Sequence, residues 1–360
     1  MSTALLCSAS VTTRPRQMVI LSRLHKGTNN RLAYYSKNFV RYITPKVLLR
    51  NRLQKVLAEL EKRPDKEYIL RRVDYYNKMQ GIVPIDPVSS HRLADHKFGD
   101  AGSVYFFDSY EFTRWFSDSL YWNYVFGDVT QVPGVPSIVK SRPIHGENTN
   151  SVILNMEKVR HFNFITDQIP FRDKMDKAIF RLDINYKPHR IRFVEQYFDH
   201  PMCDVGIISA LPEFPKEWSK GKITLFEHLV YKFILTLEGI DVSTSLKWVM
   251  STNSVAVMPR PTYETWFMEG TLIPNYHYIE IKSDYSDLPQ RLQYYIDHPE
   301  EAEAIARHAH EYISQFRDKK RERLISLRDL VGGVSTTISQ NVHNFSKIKF
   351  QKKLAGFNSK

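Results

Sequence analysis

Apolar positions in the second half of the chain fall into short, nearly continuous runs at residues 178–182, 205–208, 233–237, 255–258 and 278–281. Runs of four or five apolar residues bounded by polar or glycine positions predict strands buried on both faces. Between them lie segments with the three-to-four-residue spacing of helices, at 189–197, 224–231, 243–250 and 263–267. Two longer helices are predicted at 288–297 and 300–316, the second with Ala302, Ile305, Ala309, Ile313 and Phe316 on one face. Strands alternating with helices predict a parallel sheet covered on both sides, an α/β architecture whose ligands bind beyond the C-terminal strand ends.

The first half is less regular. Residues 46–62 place Val47, Leu48, Leu53, Val56, Leu57 and Leu60 at helical spacing with Arg50, Arg52 and Lys55 opposite, which predicts one basic amphipathic helix. A strand is expected at 103–108, a helix at 110–120, a strand at 122–126, and further short strands at 152–154 and 162–165. Pro133, Gly134 and Pro136 mark a loop. The chain thus divides into a basic helical region over 1–72, an α/β domain over 73–170, a second α/β domain over 171–316 and a basic tail over 317–360.

Charge follows the same division. The net charge is +12, yet residues 1–72 hold 16 Lys and Arg against 4 Asp and Glu, and residues 317–360 hold 11 against 3. The stretch between is net acidic. Basic ends attract nucleic acid, an anionic membrane surface or a phosphorylated glycolipid, all of which present dense negative charge. No helix-turn-helix, zinc-finger or RNP pattern accompanies the charge, which makes nucleic acid the weaker reading. The two cysteines, Cys7 and Cys203, form no disulfide framework, and no apolar run reaches membrane-spanning length. With no signal-peptide pattern either, the expected place is the cytoplasm, against the inner face of the membrane.

The strand ends hold the candidate chemistry. Arg181 lies within one predicted strand, Asp183 follows it, and Arg190 opens the next helix; the strand at 233–237 leads into Glu238, Gly239, Asp241 and Ser243. Arg260 and Glu264 follow the strand at 255–258. Cations, a glycine that admits close backbone approach, N–H groups at a helix start and a carboxylate for vicinal hydroxyls suit a nucleoside diphosphate with its ribose. Each also has an ordinary use: Asp241 or Ser243 as a helix cap, Arg181 in an ion pair, Glu264 as a first-turn acid. The phosphate-binding, dinucleotide-binding, nucleophile-elbow and His-Glu-x-x-His motifs are absent, and no Asp-x-Asp pair offers a divalent-metal handle.

Several blocks occur in an order that resembles the capsule-associated glycosyltransferases of family 90. They are the run from Val230 through Glu238, Gly239 and Asp241 to Ser243, then Leu246 to Trp248, Asn253 to Val257, Tyr263 to Trp266 and Leu272 to Tyr278. Lys140 to Pro143 and Ala178 to Arg181 extend the likeness upstream, so that it covers roughly residues 95–316. The resemblance implies a GT-B architecture, two Rossmann-like domains facing across a cleft, and inverting transfer from a UDP-sugar without metal or other cofactor. It implies UDP-glucose or UDP-galactose as donor and a lipid-linked oligosaccharide of the lipopolysaccharide or lipooligosaccharide core as acceptor. Arg181, Asp183, Arg190, Gly239, Asp241, Val242, Ser243, Lys247 and Glu264 would hold the donor, Glu264 at its ribose. Lys140 and Arg142 would contact phosphate or acceptor, and Asp128 would be the base. The chain departs from the family where Leu182 stands for a common glycine and Ser245 for a common arginine. An inactive member that only binds glycans is the other expectation.

Overall fold

The computed structural model of the protein describes residues 30–79, 85–99, 102–184 and 187–333. Cys7 and residues 334–360 of the expected tail lie outside them. The chain is a mixed α/β protein with two parallel sheets.

The first half contains β1 (His91–Arg92), β2 (Tyr121–Trp122), β3 (Tyr124–Val125), β4 (Ser137–Val139), β5 (Ser141–Pro143) and β6 (Ser151–Ile153). Strands β3, β4 and β6 form a small parallel sheet in the order β3-β4-β6, with Tyr124 opposite Ile138 and Ile138 opposite Val152. The second half contains β7 (Met175–Leu182), β8 (Cys203–Ile207), β9 (Tyr231–Leu235), β10 (Val255–Met258), β11 (Tyr263–Thr265) and β12 (Ile279–Glu280). Five of these make a wholly parallel sheet in the order β12-β10-β9-β7-β8. The predicted apolar runs are its strands, since a sheet covered on both faces needs apolar side chains pointing both ways. One face packs on the helices Pro188–Tyr197, Leu288–Asp297 and the start of Pro299–Ser314 through Phe180, Phe233, Leu235, Phe193, Leu292 and Ala302. On the other, Ile179, Ile234 and Ala256 join the core that also holds Ile138, Val152 and Trp266.

Four expectations are corrected. Residues 103–108 are not a strand but the start of the helix Ser103–Thr113, buried nearly all round by Phe106, Phe107, Tyr110 and Phe112. A continuous apolar run has no period to tell a buried helix from a strand. Residues 263–267 are not a helix: β11 pairs antiparallel with β5, an edge supplied from 122 residues upstream. Residues 162–165 form no strand. Finally, the helix expected at 46–62 is three short pieces, Val47–Arg50, Leu53–Ala58 and Glu59–Lys62, whose Leu53, Val56, Leu57 and Leu60 are buried in the protein.

Where the tail was expected to begin, Lys319–Gly333 is a helix packed on the helix Lys66–Tyr76, with Leu324, Ile325, Leu327 and Leu330 buried. Arg72 grips Glu322 through Nη1–Oε1 at 2.5 Å and Nη2–Oε2 at 3.1 Å, and Trp266 Nε1 donates to the same carboxylate at 2.6 Å. Tyr76 stacks on Trp266 with ring centres 3.9 Å apart. A helix from the first quarter of the chain and the last described helix therefore close on each other.

Candidate active site

The C-terminal ends of the two parallel sheets meet at the ammonium of Lys140. Lys140 follows β4; Asp128 follows β3 and Glu157 follows β6, so all three project from the same end of the small sheet. Asp241 comes from the segment after β9. Lys140 Nζ donates to Asp128 Oδ1 and to Glu157 Oε2 at 3.3 Å, and lies 2.8 Å from Asp241 Oδ2. Its side chain is 2% exposed, as against 6% for Glu157, 4% for Asp241 and 32% for Asp128. Burial alone would lower the Lys140 ammonium, but the carboxylates of Asp241 and Glu157 outweigh burial and hold it above its ordinary value.

Glu157 sits at φ 55°, in the left-handed region that a non-glycine residue seldom occupies. This backbone starts the short helix Lys158–His161 and lets one carboxylate meet Lys140, Arg160 Nη1 at 2.7 Å and His161 Nε2 at 3.3 Å. Burial works to raise that carboxyl, yet the hydrogen bond from His161 and the charge of Lys140 keep it well below the usual range. His161 is itself lowered to about 4, by burial first and the Lys247 charge second, so it is neutral at pH 7. Lys140 thus balances one of three carboxylates. Of the three, Asp128 is the one open to solvent, and its Oδ2 faces no bond from Lys140.

Beside this junction is a cavity of about 370 Å³, within the range of small-molecule sites. Gly239, Ile240, Val242 and Ser243 line it, together with Glu238, Leu246, Arg260, Thr262 and Glu269. Among the described residues, the backbone N–H groups of 239–245 find no acceptor, although Val242, Ser243 and Ser245 are buried. Successive donors without acceptors beside a cavity suit an anion. Arg190 backs this wall. Its Nε donates to the Glu238 carbonyl at 2.9 Å, Nη1 to that of Asp183 at 2.6 Å and Nη2 to that of Leu237 at 2.9 Å. Burial lowers this guanidinium to about 10, so it remains charged at pH 7, and carbonyl dipoles do not neutralise it. A side chain at Gly239 would meet Arg190 Nη2 at 3.5 Å, so glycine leaves the cation close to the cavity wall.

The remaining predicted residues divide by use. Lys247 is fully buried and paired with Glu269, whose carboxylate also accepts from Thr265 N at 2.7 Å. Arg181 is spent on Asp204, Nη2 to Oδ1 at 2.7 Å, and does not line the cavity. Arg142, with no exposed surface, donates to Glu264 Oε1 at 2.8 Å and to the carbonyls of Tyr75, Tyr76 and Ser151. Glu264, expected at a ribose, has its carboxylate buried on β11 between Arg142 and Tyr75 Oη, and it does not line the cavity. Two carboxylates line the cavity: Glu269 is held by Lys247, and Glu238 accepts from Thr262 N at 2.8 Å and Thr262 Oγ1 at 2.6 Å. Burial raises the Glu238 carboxyl. Glu157 was not among the predicted site residues, although inspecting the end of the strand at 152–154 would have reached it. Among the described residues, no three His, Cys, Asp or Glu side chains are grouped to hold a metal ion.

The model of "Glycosyl transferase family 90" matches residues 112–321, which include β3 to β12 and every residue of the Lys140 junction. The chain is 36% identical over 289 residues to the O-glucosyltransferase LpsA of Dichelobacter nodosus, covering 80% of this chain and 90% of that one. Shorter likenesses are to protein O-glucosyltransferase 3 of Homo sapiens, 28% over 140 residues and 27% of its length, and to protein O-glucosyltransferase 2 of Danio rerio, 32% over 84 residues and 17% of its length. More than half of the chain matches the family model and four fifths of it aligns with one relative, so this protein is a glycosyltransferase belonging to family 90.

Proposed function

We propose that the protein transfers a hexose from a UDP-sugar, with inversion, to a hydroxyl of a lipid-linked oligosaccharide of the lipopolysaccharide or lipooligosaccharide core type. The bacterial relative that aligns along most of its length carries O-glucosyltransferase in its name, which favours glucose over galactose. The two parallel sheets converge on Lys140 by their C-terminal ends, which supports a GT-B reading with the cleft between them.

In this reading the diphosphate lies along residues 239–245, where backbone N–H groups and the Arg190 charge take up negative charge as the C1–O bond to UDP breaks. Glu238 faces the hydroxyls of the donor. Asp128 Oδ2 takes the proton of the acceptor hydroxyl while the hydroxyl oxygen forms the new bond to C1, opposite the departing UDP. In this account the charge on the departing UDP is met by the backbone N–H groups and Arg190, without a divalent ion.

The observation that carries the proposal is Asp128, a third exposed and held at one oxygen by Lys140, whose ammonium also meets Asp241 in the segment that lines the cavity. Asp128→Asn keeps the shape but cannot take a proton, so turnover with UDP-glucose and the oligosaccharide acceptor should fall by about 10²–10⁴. UDP binding should be unchanged. Normal turnover in this variant would move the base elsewhere. A wild-type protein that binds UDP and turns over neither UDP-glucose nor UDP-galactose would instead be an inactive glycan-binding member.

A further inference from the structure

The helix Arg31–Ile43 is mounted inside out. Leu32, Phe39, Val40 and Ile43 lie seven, one and three residues apart, which places them on one stripe of the helix. They are 77%, 58%, 60% and 65% exposed. The opposite face is polar and is the one that docks. Tyr34 Oη donates to Asp108 Oδ1 at 2.8 Å, Asn38 is buried, and Arg41 Nη2 pairs with Glu111 at 2.5 Å. A surface helix ordinarily does the reverse, burying its apolar stripe and leaving the charges in water.

Just after the helix, Val47 and Leu48 are also more than half exposed, and the exposed Phe98 lies against Tyr42. A contiguous apolar surface of this kind marks an interaction site. Its rim identifies the partner. Residues 30–58 contain seven Lys and Arg and no Asp or Glu, and Arg31, Lys37, Arg52 and Lys55 are exposed. Lys46 and Arg50 are half-buried and share Asp118. Apolar side chains in the middle and cations at the edge match an anionic bilayer, whose acyl region accepts the first and whose headgroups accept the second. No helix of the described residues is long and apolar enough to cross a membrane, so the helix would lie in the interface.

We infer that the exposed stripe of the helix Arg31–Ile43, together with Val47 and Leu48, is a docking surface for an anionic lipid bilayer. The helix is tied to the junction through Lys158, next to Glu157: Asp108, bound by Tyr34, accepts from Lys158 N at 2.9 Å, and Glu111, paired with Arg41, accepts from Lys158 Nζ at 2.6 Å. Docking therefore holds the acceptor-side strand ends near the lipid surface. The inference stands on the helix and not on the reading of the reaction, so it is tested without turnover.

Sedimentation of the full-length protein with vesicles of phosphatidylcholine and phosphatidylglycerol should give binding that weakens with salt and with removal of phosphatidylglycerol. The double variant Phe39→Ser, Val40→Ser should bind at least about tenfold more weakly, because each side chain loses its transfer into the acyl boundary. Its melting temperature should match the wild type, since both side chains are exposed. Lys37→Glu with Arg52→Glu should weaken binding to anionic vesicles and leave the fold intact. In Phe39→Trp, brominated lipid in the vesicles should quench the new fluorescence. Three outcomes would overturn the inference: a wild type that stays in the supernatant, equal sedimentation of the Phe39, Val40 variant, or a dimer in light scattering that this variant dissolves. The last would assign the stripe to a second copy of the chain.

Discussion

Glu238 and Glu264 lie on either side of one strand end, and the environment of each sets what it can do. Glu264 is locked between Arg142 and Tyr75, so its charge is consumed inside the protein. Glu238 faces a cavity and is braced by Thr262, which leaves it able to accept further hydrogen bonds. Glu238→Gln should weaken UDP-sugar binding by about tenfold, since a hydrogen bond to a charged group contributes about 1.5–3 kcal/mol, with little change in melting temperature. Glu264→Gln should do the opposite. It leaves the buried Arg142 guanidinium without a counter-charge, a loss of about 3–5 kcal/mol in stability, while affinity in the folded fraction holds. Isothermal titration and thermal denaturation on the two variants separate these outcomes, and a crossed result would return Glu264 to the donor.

At the scale of elements, the helix Lys319–Gly333 carries an acid whose burial outweighs the nearby charge of Arg142. Asp329 is fully buried, and both of its carboxyl oxygens lack a hydrogen-bond partner. Burial pushes its carboxyl well above the ordinary carboxylate range. A group whose folded value is raised binds its proton more tightly in the native state, so stability falls as pH rises from the unfolded value of about 4 toward the folded one. Asp329→Asn should therefore raise the melting temperature at pH 7 and lose that advantage as pH approaches 4, which thermal scans across this range would show. An equal shift at both pH values would mean that Asp329 does not titrate on folding.

The five-stranded sheet was legible in the sequence because apolar runs report burial on both faces. The helix Ser103–Thr113 and strand β11 were not. The first has a run of aromatics with no period, and the second takes its strand character from β5, a partner that no local pattern announces. The same distinction holds for the site. Asp241 and Gly239 were found at a strand end, whereas Glu157 owes its place to a left-handed backbone, and its meeting with Asp241 to packing between sheets.

Over the whole molecule, the junction at Lys140 is a contact between two halves, and a ligand that fills the neighbouring cavity adds to it. UDP should raise the melting temperature in the presence of EDTA, by the mass-action gain of a ligand that binds only the folded state, about 2.7 kcal/mol at a hundredfold excess over Kd. Absence of a shift at saturating UDP, or a shift that EDTA removes, would contradict a donor site built from backbone N–H groups and Arg190. The closure of the helix Lys319–Gly333 on the helix Lys66–Tyr76 has a further consequence, for synthesis. Arg72 and Glu322 are 250 residues apart, and a ribosome adding about 5–20 residues each second spends roughly 10–50 s between them. Through that interval Arg72, Tyr76 and the helix that bears them have no Lys319–Gly333 to cover them. The strands of both sheets are made before the helix Lys66–Tyr76 can be sealed.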